Sequence, residues 1–554
     1  MHPRIAHLHT YFLFPFALDK QALRADHQDI WTKNSYWIDG LDEWIAAHAR
    51  RGQSRIVDRL GGWRRTPYSR SDMDSPAYQD MVFFHPFVRR VFFDISDATG
   101  ASRREALLRC YTIGLRGKQL FFEARDAKER AASVAVTDLR LFIFANGIAI
   151  LSIGVEAFGL EARDALWINE SMRKIYPSSG RQVREGRAPN YLAWTIETDG
   201  AREVLAEERF ARGEMTGYLP PLANTITSLL YFADYSRQEY EPVLDERMIV
   251  DTYVAIDAAS VPGDYLDSEA YQVLLSRFLY VDRWGPDFRY DRAFLQRELE
   301  RQLYTRWAHQ GTYYGFTSYS SLTCCIGVFD CDEHQLSEGF LIHRMFDGRY
   351  YLMTLVALFY RATLLDFAER TALVSKRLFQ DQEQGRITHE DIRLANHLRG
   401  DFLHFSNYWY FGELANKDEE IEHFAMQRRE YGIEEMKAEI EEEVDKLNAS
   451  LHNYYQFRST ESINRLAMLS LLFGAGAVLT GYFGMNFEGE FGRLFFQVTR
   501  PAFHTAVVVL VSLLAFGALS FGVFLVAANW QDYRGILLPR VGRQDGGTSL
   551  KRGG

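Results

Sequence analysis

Cysteine is scarce in this 554-residue chain: Cys110, Cys324, Cys325 and Cys331 make up the whole set. So few, so unevenly spaced, they exclude a disulfide framework. Cys324-Cys325 with Cys331-x-x-His334 offers soft-metal ligands, but adjacent cysteines point to opposite sides of a strand, and structural zinc sites favour a gap of two to four residues. They are read as buried, reduced thiols. Proline is scarce too, at 14 residues, and no low-complexity block occurs, which excludes long disordered stretches outside the tail. A basic excess is missing: 63 Lys and Arg against 73 Asp and Glu leave a net charge of -10, which argues against nucleic acid as a partner. There is no Walker-type phosphate loop, no Gly-x-Ser-x-Gly elbow and no His-Glu-x-x-His, so neither an enzyme nor a cofactor is expected. Near the start, Tyr11 to Leu18 is apolar but short, lacks a strong basic flank and is followed by Asp19. It is read as part of a strand and not as a signal peptide.

What is present begins with β-type patterning. Arg4 to Leu18, Leu107 to Leu115 and Lys118 to Glu123 read as strands. Leu139 to Ile153 holds two apolar runs around Asn146-Gly147, the strongest short-range hairpin signal. Further strands are expected at Tyr191 to Thr198, Ile249 to Ile256, Val273 to Val281 and Gly311 to Tyr319, with a loop from Ser178 to Pro189. From Tyr350 the period becomes helical. Tyr350 to Phe379 reads as an amphipathic helix whose apolar centre, bounded by Arg349 and Arg361, is too short to span a bilayer. Gln382 to Arg386 reads as a turn, and Thr388-x-x-Asp391 as the cap of a helix running towards Tyr410. A further piece runs from Leu414 to Tyr431 and stops or bends at Gly432.

After Gly432 the pattern changes character. Ile433, Met436, Ile440, Val444, Leu447, Leu451 and Tyr454 recur three or four residues apart, one stripe of a helix. The other faces carry Glu434, Glu435, Glu439, Glu441, Glu442, Glu443 and Asp445. No proline interrupts Gly432 to Phe487, so one helix is expected to run from there into an apolar segment. Leu466 to Phe487 and Pro501 to Gln531 contain no charged side chain. At about 22 and about 31 residues, both reach the roughly 20 that a membrane-spanning helix needs. The connecting loop balances Glu488 and Glu490 against Arg493 and Arg500, whereas the tail carries Arg534, Arg540, Arg543, Lys551 and Arg552. The positive-inside rule then puts both termini in the cytoplasm. Two helices cannot enclose a water-filled path, so a pore needs several copies.

The first apolar segment ends in Gly481-Tyr482-Phe483-Gly484-Met485-Asn486-Phe487. A Gly-Met-Asn at the end of the first of two C-terminal spans, after a long acidic helix and before a short tail, resembles the CorA family of divalent-cation transporters, over roughly the last 120 residues. The resemblance implies an α+β cytoplasmic domain, a long stalk helix and two C-terminal transmembrane helices. It also implies five subunits around one axis, with the first span innermost, in the inner cell membrane. Divalent cations, lipid and further copies of the chain would be the partners. On that reading, residues 1–349 form an enlarged α/β domain and 350–432 a helical region. Residues 433–465 are the stalk and 466–487 the first span. The external loop is 488–500, the second span 501–530 and the basic tail 531–554.

The same resemblance supplies the site. Gly484, Met485 and Asn486 form the selectivity mouth, where a ring of neutral amide oxygens from Asn486 holds an ion through its bound water. That suits Mg2+, which gives up water reluctantly. Ala477 falls at a pore-facing position of the family, and Gly474, Ser470, Leu466, Ile463 and Thr460 share its face. Ile463 and Leu466 in a ring would close such a path by dewetting, and Glu488 and Glu490 would gather cations outside. In related proteins, carboxylates between subunits bind Mg2+ and hold the pore shut. Glu439, Glu442 and Glu443 are the candidates here, against the plainer reading of a solvated helix face. Phe483, Ala475 and Ala477 stand where the family usually has Tyr, Pro and a pore hydroxyl. Zn2+, Co2+ or Ni2+ transport by the same fold, and a membrane-anchored scaffold with a degenerate pore, remain alternatives.

Overall fold

A computed structural model of the chain describes residues 3–26, 30, 37–49, 54–67, 76–94, 107–115, 117–178, 180–198, 200–210, 220–244, 247–262, 265, 268–285, 290–326, 342–383, 389–484 and 502–528. Met1–Asp445 form one compact unit and Lys446–Gly554 a second.

The first unit is built on one 13-stranded sheet. Its strands are β1 (Arg4–Leu18), β2 (Arg64–Arg65), β3 (Leu108–Thr112), β4 (Gln119–Asp126), β5 (Ala131–Phe144), β6 (Ile148–Glu161), β7 (Pro189–Thr198), β8 (Ala201–Arg209), β9 (Tyr240–Pro242), β10 (Ile249–Ile256), β11 (Leu303–Tyr304), β12 (Tyr313–Phe316) and β13 (Ser320–Ile326). The order is β11-β12-β13-β10-β1-β6-β5-β4-β7-β8, with β3 beside β5, β2 beside β3 and β9 beside β1. Only the β10–β13 pair is parallel among these described strands. β1 is the spine. It pairs with β6 from Arg4 to Ala17, with β10 as far as Leu13, and with β9 from Phe16. Pro15 lies in the gap between the last two partners, a place where a strand tolerates a residue with no N–H to give.

The alternation of β1 sorts two layers. Leu8, Phe12, Phe14 and Phe16 join the main core with Trp44, Leu166, Trp167, Leu274 and Phe278. The opposite face carries His7, His9 and Tyr11. It is covered by Ile342–Met345, a π turn at Phe346–Tyr350 and the helix Tyr351–Glu383. The Tyr11 ring lies 4.3 Å from that of Tyr351. Among the described residues, Ile342–Gln380 is long and apolar enough to cross a membrane, but 72% of its apolar window is buried inside the protein. It packs as a core helix of this unit, and its apolar stretch is longer than the centre bounded by Arg349 and Arg361 that reads as too short to span.

The Asn-Gly hairpin is present as β5–β6. Gly147 has φ 105°, open to glycine at little cost. The Asn146 amide donates to Thr363 Oγ1 at 3.0 Å and so ties the turn to the covering helix. Three expectations need correction. Val273 to Val281 is not a strand: Glu269–Leu279 is a helix capped by Ser268, whose Oγ accepts from the Tyr271 N–H at 3.2 Å. Tyr271, Leu274, Leu275 and Phe278 recur at helical spacing and are buried. The stretch Ser178 to Pro189 contains a short helix, Gly180–Arg184, and ends in the first residue of β7. Gly311 to Tyr319 keeps only Tyr313–Phe316 as strand, which turns back into β13. β7, β8 and β10 to β13 all extend the same sheet.

The helix His389–His404 follows, and then Asp418–Glu430. Gln382 and Glu383, expected in a turn, still belong to the helix Tyr351–Glu383, while the rest of that turn and Thr388 lie outside the described residues. Gly432, with φ 65°, donates its N–H to the Arg429 carbonyl at 3.0 Å and closes the shorter helix. One helix then runs without interruption from Ile433 to Gly484, 52 residues or about 78 Å. The second apolar segment is the helix Ala502–Ala528.

Candidate functional site

The long helix is ordered by its side chains. Ile433, Ile440, Val444 and Leu451 are buried, and Met436, Leu447 and Tyr454 are half-buried. Glu434, Glu435, Glu439, Glu441, Glu442, Glu443 and Asp445 are all exposed. The apolar stripe read from spacing is therefore the buried face, and the carboxylates stand off it. Arg428 pairs with Glu434 at 2.5 Å and Lys437 with Glu441 at 3.3 Å.

Beyond Asp445 the helix changes surface. Thr460, Ile463, Leu466, Ser470, Gly474 and Ala477 are all exposed, with Ile463 at 61% and Leu466 at 63%. So are Leu469, Phe473 and Val478. Helical spacing puts the six candidate residues along one face, so the structure brings them into one row. The Thr460 hydroxyl donates to the Gln456 carbonyl at 2.8 Å. The glycines are informative. A Cβ placed at Gly474, Gly476 or Gly481 would meet nothing within 4 Å. Each glycine costs a helix interior about 1 kcal/mol relative to alanine, yet no neighbour within the described chain requires the space.

The helix ends at Gly484. Met485, Asn486, Glu488 and Glu490 lie outside the described residues, as do Cys331 and His334. Cys324 and Cys325 are buried on β13, and burial pushes the Cys324 thiol well above its ordinary range. Cys325 Sγ lies 3.3 Å from the Tyr253 hydroxyl.

Residues 412–524 match the family described as CorA-like Mg2+ transporter protein. The CorA-like segment takes in the helix Asp418–Glu430, the whole long helix and most of the second apolar helix. It also contains every candidate site residue derived above. The matched family is one of transporters, not enzymes. A similar solved structure is the CorA magnesium transporter from Methanocaldococcus jannaschii, 12% identical, covering 51% of this chain and 92% of that one with a TM-score of 0.21. No curated protein matches the chain.

One group escaped the sequence reading. His7 on β1, Glu156 on β6 and His343 beside the π turn bring ligand atoms within 4.8 Å of one another. The signal available was the alternation His7-x-His9, which puts two imidazoles on one face of a strand. Its partners stand far away in the chain.

Proposed function

We propose that this protein carries divalent cations, Mg2+ foremost, across the inner cell membrane through the axis of a homo-oligomer, a pentamer by family resemblance. The observation that carries the reading is the coincidence of the CorA-like match with the unbroken helix Ile433–Gly484, which ends beside Met485-Asn486. Three kinds of surface on that helix support it. The buried stripe belongs to the acidic part, most of the charge-free part is exposed, and its glycines have room for a neighbour that the described residues do not supply. Small residues of this kind let helices approach closely in a bilayer.

On this reading, Thr460, Ile463, Leu466, Ser470, Gly474 and Ala477 line the path. Gly484, Met485 and Asn486 form the outer mouth, and Asn486 meets the ion through its water shell. Glu488 and Glu490 concentrate cations outside, and both termini are cytoplasmic. Small and aliphatic groups along the path offer no strong ligand, so an ion passes without being trapped.

The test is uptake into proteoliposomes by purified full-length protein. We expect Mg2+ entry well above that of empty vesicles, and a five-subunit mass in mild detergent. Uptake no faster than empty vesicles would favour the scaffold alternative. Faster Zn2+ than Mg2+ entry would move the assignment to the zinc-type branch. A cysteine at Gly489 should react with an impermeant thiol reagent from outside. Labelling from the cytoplasmic side alone would reverse the topology.

A further inference from the structure

The first unit holds a polar centre that the transport reading does not use. His7 Nε2 lies 2.6 Å from Glu156 Oε1, and His343 Nε2 lies 4.0 Å from the same oxygen. His9 Nδ1 lies 2.8 Å from His343 Nε2. His7 is fully buried, while the Glu156 and His343 side chains keep 24% and 21% of their surface. The centre therefore has a wall and an opening. Phe158, 56% exposed, stacks on His7 at 4.5 Å. Tyr253 meets the same ring edge-on at 5.3 Å.

We propose that His7, Glu156 and His343 bind one divalent cation of the zinc class, with His9 as the positioning residue behind His343. Two imidazoles and a carboxylate suit zinc and its transition-metal neighbours, whereas Mg2+ prefers a shell of oxygens. Donors at 2.0–2.1 Å from a tetrahedral ion stand about 3.3 Å apart. The present 2.6 Å contact would open slightly and the 4.0 Å one would close slightly. Three protein ligands leave a fourth position for water, on the side where Glu156 and His343 are exposed.

His9 gives the site its direction. His9 Nδ1 stands 2.8 Å from His343 Nε2, the same nitrogen that faces Glu156, so in the metal-free protein this hydrogen bond holds the His343 ring toward the centre, and the ion takes its place at Nε2 on binding. The ion would join three separate pieces: β1, β6 and the turn that leads into the covering helix. Binding would clamp the start of that helix to the middle of the sheet. This inference does not depend on the transport reading.

The experiment uses full-length protein, purified without a histidine tag and stripped with a chelator. It is titrated with Co2+ as a spectroscopic stand-in, then with Zn2+ in competition. We expect one tight Co2+ per chain with the visible bands of a low-coordinate site, displaced by Zn2+ and not by Mg2+. Glu156→Gln and His343→Gln should each lose roughly 100-fold or more in affinity, and His9→Gln less than either. X-ray absorption on the unaltered Zn2+-loaded protein needs no variant to fold, and should show imidazole and oxygen ligands without sulfur. Absence of binding by the unaltered protein, sulfur in the metal's shell, or full affinity in both ligand variants would overturn the proposal.

Discussion

The two units solve opposite problems with the same kinds of apolar side chain. Before Asp445, large apolar groups are mostly inside: Phe359 is fully buried, stacked on Phe144 at 4.2 Å, and Trp194 is stacked on Phe122 at 4.3 Å. After it the balance reverses. Phe473 is 76% exposed, Leu513 and Leu514 are each 66%, and Phe524 is 65%. Leu451 and Met468 are the large apolar residues of the second unit that are buried among those described. A chain that keeps this much apolar surface outside is not finished by folding alone. On the proposed reading, lipid, further copies of the chain, or both cover the rest. The first unit supplies its own solvent-excluding core, and among the described residues the second leaves most of its large apolar side chains exposed.

The largest expected effect falls on Asn486. Asn486→Ala should reduce Mg2+ uptake to the level of empty vesicles while the oligomer's mass stays unchanged if, as proposed, the amide meets the ion's water and not a helix. Uptake equal to that of the parent would make Gly-Met-Asn an ordinary helix end, in which Gly and Asn serve only as a cap. The contrast between the units would then concern anchoring and not transport.

Next comes a pair of equal deletions in unequal surroundings. Phe359→Ala should destabilise the first unit by about 3–5 kcal/mol, the usual cost of emptying a packed aromatic site. Phe473→Ala should change that unit's stability by less than about 0.5 kcal/mol, as surface changes do. Resistance of the first unit to protease during heating reads both. Equal losses would erase the distinction between the units.

A smaller effect sharpens the account of the first unit. Asp251 on β10 is 3% exposed, and burial raises its carboxyl to about 8. In the unfolded chain it ionises near 4. Between those values the folded state holds a proton the unfolded state has released. This group therefore makes stability fall as pH rises through that window, by up to about 1.4 kcal/mol per pH unit, and level off above it. Asp251→Asn cannot lose a proton, so its Tm advantage over the parent should be greater at pH 8 than at pH 5. An advantage independent of pH would mean that Asp251 is already ionised in the folded protein.

How much of this could be read from the sequence depended on how local the signal was. Asn146-Gly147 between apolar runs fixes a hairpin within a few residues, and β5–β6 is there. The stripe from Ile433 to Tyr454 is equally local, and every member is buried or half-buried. Val273 to Val281 misled because its apolar and aromatic residues suggest a strand, while the decisive capping serine lies upstream at Ser268. β8, Ala201–Arg209, has helix-favouring composition but is held as an edge strand by its pairing with β7. The His7, Glu156 and His343 centre was the least legible. Its members come from β1, β6 and the turn before the covering helix, and nothing near each residue announces the others.

The smallest expected effect concerns gating. If the acidic part of the long helix senses internal cations, Mg2+ must bind the closed state more tightly than the open one, since equal affinity shifts nothing. Glu439, Glu442 and Glu443 are exposed on a helix whose apolar stripe is buried or half-buried. Repeated around an axis, these charges repel, and a divalent ion relieves that repulsion more than sodium at equal ionic strength. Exposed carboxylates are each worth little, so replacing Glu439, Glu442 and Glu443 by Gln should raise the Mg2+ concentration needed for half-closure roughly two- to tenfold and leave open-state flux unchanged. Protection of the helix from protease by Mg2+ should weaken in parallel. If both curves in the triple variant overlie those of the parent, the acidic face is a solvated surface, and control of closure belongs to a different part of the protein.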